Sequence, residues 1–237
     1  MILVLSNLAD EAAAGFVRRF PAGAACLVTA SDFHQSVRAA VSVSDFSASE
    51  ITLGGTPLTA GQIRGVVATI PWFLPQEFYY IEPADRDYVC AEMSAFLIYF
   101  LSGLACKKLN PPSPRRLTGL GLHRLEWLRV AARCGVPVWP VRTKNGVPLP
   151  PGDSQELQPV RSTIVGGDVV GAGGPDHLAA ADQINDYMRA LSRAFAMPYL
   201  SGHFVSRNGR DFFLVELESV PDLSRPENCE AMVRYLN

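Results

Sequence analysis

The sequence predicts an α/β protein, a layer of parallel strands and helices followed by an α+β lobe. Three observations predict it. Short apolar runs alternate with amphipathic stretches over residues 1–106. A proline- and cation-rich segment, KKLNPPSPRRL at 107–117, interrupts that alternation. Two strand pairs with glycine-containing turns then flank one long helical stretch. Composition agrees: 48% of the 237 residues are hydrophobic, ample for a core, which excludes a disordered chain. The 21 Lys and Arg against 23 Asp and Glu give a net charge of −2, no electrostatic footprint for nucleic acid or an anionic membrane.

The elements follow in order. ILVL at 2–5 is a short apolar run, and Asp10 opens an amphipathic helix that Pro21 has ended. ACLVT at 25–29 is a second apolar run, so strand, helix and strand begin a βαβ layer. Residues 39–44 and 50–57 read as a hairpin patch turning at Gly54-Gly55. Residues 66–70 are another buried strand, stopped by Pro71, and residues 85–104 have helical length. The run AFLIYFLSGL at 95–104 is too short for a bilayer and fits a buried helix. The segment 107–117 reads as a solvated link; no aromatic is interleaved with its cations, as a nucleic-acid patch would require. The expected domains are therefore 1–106 and 107–237.

In the second domain, residues 122–134 are helical and end at Gly135. Residues 136–141 form a short strand, 145–159 a proline-heavy loop, and 160–165 pairs with 169–172 through Gly166-Gly167. Residues 177–197 form a helix closed by Pro198. The last hairpin, 199–206 with 211–218, flanks Asn208-Gly209, a strong two-residue turn signal. That turn would set Phe204 opposite Phe213 and His203 opposite Leu214. One face then carries Leu200, Phe204, Phe213, Val215 and Leu217, and the other carries His203, Glu216 and Glu218. Three metal-capable side chains on one face are the sharpest constellation in the chain.

The order of these segments resembles the ATP-grasp superfamily, in its peptide-maturase and ribosomal-protein glutamate-ligase branch. ILVLSNLAD…ACLVTASDF resembles the pre-ATP-grasp layer, LNPP the strand with Asn-Pro, and CGVPV the helix ending in Gly-x-Pro. VRSTIVGGDVV and YLSGHFVSRNGRDFFLVELESVP resemble the two strand pairs of the C-terminal lobe. The resemblance implies a Rossmann-like pre-ATP-grasp layer followed by a reduced ATP-grasp-like lobe. It also implies ATP and Mg²⁺ as cofactors. The departures are specific. His123 and Arg124 stand near the place of one phosphate-binding lysine, and Lys144, in a Thr-Lys-Asn-Gly setting read as a turn, near the other. Pro159 replaces an Asp, while Arg161 keeps an Arg. In the last hairpin His203 takes the place of an Asp, Glu216 stays, and Glu218 replaces an Asn.

The resemblance thus assigns Arg124 and Arg161 to the nucleotide and His203, Glu216 and Glu218 to a cation, with no catalytic residue. Exchanging a carboxylate for an imidazole would move the cation site from Mg²⁺ toward softer metals. The unexceptional readings stay beside these: an exposed helix position for Arg124, a strand-edge charge for Arg161, and a solvated polar face for the trio. The functions that follow are a degenerate ATP-grasp binding or partner subunit, a minimal ATP-dependent carboxylate–amine ligase, or a metal-binding protein. A protein partner or a homo-oligomer fits a trimmed lobe. His34 and His177 receive no role, and Trp72 and Trp139 read as packing residues. The five cysteines are scattered without a C-x-x-C and read as reduced core thiols. The N-terminus lacks a basic region before its apolar run, so a cytoplasmic protein is expected.

Overall fold

The computed structural model describes residues 1–33, 39–53, 55–141, 143–144, 147–148, 158–171, 178–206 and 210–237. The chain packs as two compact units, Met1–Gly121 with Ser219–Asn237, and Leu122–Glu218. Sequence pattern drew a boundary after residue 106, on the proline run; packing divides the chain later and returns its C-terminal segment to the first unit. His34, His177, Gly54 and Asn208-Gly209 lie outside the described residues.

The first unit begins with β1 (Ile2–Leu5), α1 (Glu11–Val17) and β2 (Ala25–Val28). The Asp10 carboxylate caps α1 by accepting the Ala13 amide at 3.0 Å. A small antiparallel sheet of β3 (Ala39–Ala40), β4 (Glu50–Leu53) and β5 (Thr56–Thr59) follows. Then come β6 (Gly65–Ala68), α2 (Arg86–Gly103) and β7 (Lys107–Lys108). The main sheet runs β2-β1-β6-β7, all parallel. β1 and β6 are buried along their whole length, as central parallel strands covered on both faces must be. Phe73, Phe78 and Phe100 are fully buried in the same core.

The segment read as a solvated link is in part structural. Its first two residues form β7, Leu109 and Leu117 are buried, and Asn110 donates to the Ser219 carbonyl at 2.7 Å. Its hydrophobic positions are too sparse to signal burial by periodicity. The C-terminal helix Pro226–Leu236, an addition to the elements expected above, buries Cys229, Met232 and Leu236. That spacing, with Pro at the first turn, was the available signal.

The second unit opens with α3 (Arg124–Arg133), capped by His123, whose Nδ1 accepts the Leu125 amide at 3.3 Å. β8 (Thr143–Lys144) and β9 (Val147–Pro148) pair antiparallel, so the stretch read as a proline-heavy loop contributes one short strand, and Lys144 sits in a strand rather than a turn. Next are β10 (Gln158–Val165), β11 (Asp168–Val170), α4 (Leu178–Phe195), β12 (Tyr199–Ser206) and β13 (Phe212–Glu218). They build an antiparallel sheet in the order β11-β10-β12-β13. The expected strand at 136–141 reduces to one parallel bridge, Val138 to Leu214, beside β13. Pro137 and Pro140 remove the donors a longer pairing would need. α4 covers one face of this sheet, with Met188 fully buried and Tyr187 stacked on Phe204.

Candidate functional site

The β12–β13 register builds the site. Ser206 pairs with Phe212, Val205 with Phe213 and Phe204 with Leu214. The pairing therefore slips by one residue from the two-residue turn the sequence suggested. Between Phe204 and His203 a bulge adds one residue, after which His203 faces Glu216 and Ser201 faces Glu218. A one-residue slip alone would flip every side chain of β13, and the bulge flips the second half back. Phe212, Leu214 and Leu217 consequently take the buried positions, while Phe213 and Val215, expected in the core, are only half-buried. His203, Glu216 and Glu218 still share the opposite face.

Val215 is the residue left without a partner across the bulge. Its carbonyl accepts both Nε and Nη2 of Arg124, at 3.3 and 3.2 Å. Backbone carbonyls removed from a ladder need another donor, and the first residue of α3 supplies it. Arg124 thus touches β13 next to Glu216.

Arg161 on β10 faces His203 in the register. Its Nε donates to Ser201 Oγ at 2.9 Å, and its Nη2 lies 3.1 Å from Glu218 Oε2. His203 Nε2 approaches the same Glu218 oxygen to 3.3 Å, without the alignment of a hydrogen bond. Thr163 and Ser201 hydroxyls meet at 3.2 Å below this cluster. Arg161 and His203 thus both approach one carboxylate oxygen of Glu218, with Glu216 exposed beside them. Among the described residues no group of three His, Cys, Asp or Glu side chains is arranged to hold a metal ion. Ser201, which orients Arg161, carries no signal in the sequence: its place opposite Glu218 depends on the bulge, which leaves no sequence mark.

A separate cavity of about 520 Å³ in the first unit is lined by Phe20, Leu58, Gln62 and Arg64, among others, and by none of these residues. No helix is long and apolar enough to cross a membrane among the described residues. All five cysteines are free.

No protein-family model and no curated protein sequence matches the chain. Solved structures do. The macrocyclase MdnC of Microcystis aeruginosa MRC, bound with precursor peptide MdnA, superposes with a TM-score of 0.69 at 14% identity, covering 98% of both chains. An ATP-grasp ligase from Chryseobacterium gregarium, in complex with ADP and a leader and core peptide, matches with a TM-score of 0.65 at 12% identity, over 99% of this chain and 96% of that one. The ATP-grasp ligase PsnB, complexed with minimal precursor, Mg and ADP, matches with a TM-score of 0.68 at 10% identity, over 99% and 98%. At such identities a likeness speaks for architecture, and the architecture of this chain is the ATP-grasp fold.

Proposed function

We propose that this protein is a peptide-binding or partner subunit on an ATP-grasp frame, in a biosynthetic pathway, whose nucleotide and cation site is degenerate. The observation that carries the reading is the closure of Glu218 by Arg161 and His203. Mg²⁺ needs several oxygen donors in near-octahedral geometry. Here one of two candidate carboxylates is already neutralised by a guanidinium, and its other neighbour is an imidazole. The cations are equally committed: Arg161 to Glu218 and Ser201, Arg124 to a backbone carbonyl. A triphosphate would have to break these contacts to be gripped. The described residues assigned to the site do not fit Mg²⁺–ATP. The peptide part of the reading draws on neighbours whose structures include precursor peptides.

Calorimetric titration with Mg²⁺–ATP, followed by an ADP-release assay with an added peptide, tests it. Saturation is expected only at millimolar nucleotide, with no ADP release above background. Micromolar affinity together with peptide-dependent ADP release would establish the second reading, a minimal carboxylate–amine ligase. That reading is favoured by coverage of nearly the whole of each neighbour's chain. In that case Glu216→Gln should abolish turnover and leave the melting temperature unchanged.

A further inference from the structure

The first unit carries a basic and aromatic surface that the site above does not use. Arg116 lies over the Trp72 ring, its guanidinium 5.5 Å from the centroid. Trp72 is 43% exposed and Leu74, two residues on, is 46% exposed. Arg115 beside them is exposed. Among the described residues neither Arg115 nor Arg116 has an ion-pair partner, and Glu77, the nearby acid, accepts the Leu74 amide at 2.8 Å. The sequence separates these groups by some forty positions, which is why residues 107–117 lacked an aromatic when read alone.

The fold also fixes where the patch sits. Trp72 and Leu74 lie on the loop leaving the carboxyl end of β6, and Arg115 and Arg116 on the loop leaving β7. The Leu117 amide donates to the Pro71 carbonyl at 2.8 Å, tying the two loops together. A tight turn with reciprocal Ser113–Arg116 backbone hydrogen bonds holds the arginines. In this sheet β1 connects outward to β2 and β6 outward to β7, so the order reverses between β1 and β6. Open parallel sheets take ligands outside the carboxyl ends of their strands, near that reversal.

We propose that these two loops form the docking surface for an acidic peptide segment carrying an aromatic or aliphatic side chain. The carboxylates pair with Arg115 and Arg116, which nothing within the described residues neutralises. The apolar side chain lies on Trp72 and Leu74. An exposed aromatic that stacks a guanidinium is the kind of anchor protein interfaces concentrate energy on. The inference rests on the peptide-binding part of the reading above, and is independent of the state of the nucleotide site.

The test is fluorescence anisotropy with a dye-labelled dodecapeptide of Glu and Asp containing two Phe residues, at several salt concentrations. The intact chain should bind it, more weakly as salt rises. Arg115→Glu with Arg116→Glu should cut affinity at least tenfold and flatten the salt dependence. Trp72→Ala should weaken binding several-fold with the salt dependence kept; Trp72→Phe, which retains an aromatic face, should lie between. Equal binding by all variants would overturn the surface while leaving peptide binding intact. No binding by the intact chain, equal binding of a peptide with Lys in place of Glu and Asp, or tighter binding of a single-stranded oligonucleotide would overturn the acidic-peptide assignment. The nucleotide titration decides the other reading separately.

Discussion

Arg124 and Arg161 are single residues whose sequence positions suggested phosphate contacts and whose observed partners are internal. For Arg124 the expected consequence is structural. Arg124→Ala leaves the Val215 carbonyl without its donor, and loss of such a hydrogen bond costs about 1 kcal/mol. Urea denaturation should show that loss with an unchanged slope, and a variant as stable as the parent would remove Arg124 from the bulge. For Arg161 the consequence is chemical. Its partner Glu218 is 42% exposed, so the ion pair itself contributes little, within about 1 kcal/mol. Arg161→Met frees the Glu218 carboxylate while preserving bulk along the strand. A Mn²⁺-dependent rise in melting temperature is then expected in the variant and not in the parent. If the parent already responds to Mn²⁺, the ion pair does not close the site.

At the scale of elements, the strands and helices with clear periodicity were legible in the sequence, and pairing details were not. β1, β2 and β6 stood out as apolar runs, and α3 and α4 as helical stretches ended by Gly135 and by Pro198. β7 was invisible because two lysines carry it, their backbone adding a strand to a sheet whose core is made elsewhere. The last hairpin is the instructive element. Asn208-Gly209 argued for one register, the structure has another, and the bulge at His203 restores the shared face of His203, Glu216 and Glu218. Two one-residue departures cancelled, so the face was anticipated through a register that does not occur. Gly202, next to the bulge, has a packing reason of its own: a Cβ there would lie 2.7 Å from Met188 Sδ and 2.7 Å from the Phe204 ring. Gly202→Ala should therefore push α4 from the sheet and cost about 1–3 kcal/mol, the usual range for overpacking. Thermal unfolding with near-ultraviolet dichroism reports it. A neutral substitution would mean that Met188, a flexible side chain, yields without strain.

Across the whole molecule, the titratable groups displaced by burial move mostly in one direction. Burial pushes the Cys26 thiol from 9.0 up to about 11, with the Asp32 carboxylate adding to it. Burial also raises Cys90, Cys106 and Cys229, and the phenols of Tyr80 and Tyr235. Each is an acid kept neutral inside the fold, so the folded chain holds these protons more tightly than the unfolded one. Stability from this source is complete below the unfolded values near 9 and 10 and is lost as pH rises through the folded ones. The Met1 ammonium, lowered first by burial and then by Arg64, works the other way, its contribution growing as pH rises through its folded value toward 8.0. By pH 9 that gain is nearly complete, which leaves the thiols and phenols to set the slope. Urea midpoints should therefore hold steady between pH 8 and 8.5 and fall progressively from about 9 to 11. Cys26→Ala should flatten the part of that fall between 9.0 and about 11, while the phenols still lower the midpoint. The same burial makes these thiols slow toward alkylating reagents at pH 8, since the thiolate is the reactive form. A midpoint that stays level to pH 11, or rapid alkylation of Cys26 in the folded protein, would show that the first unit opens too readily for its core to hold these groups neutral.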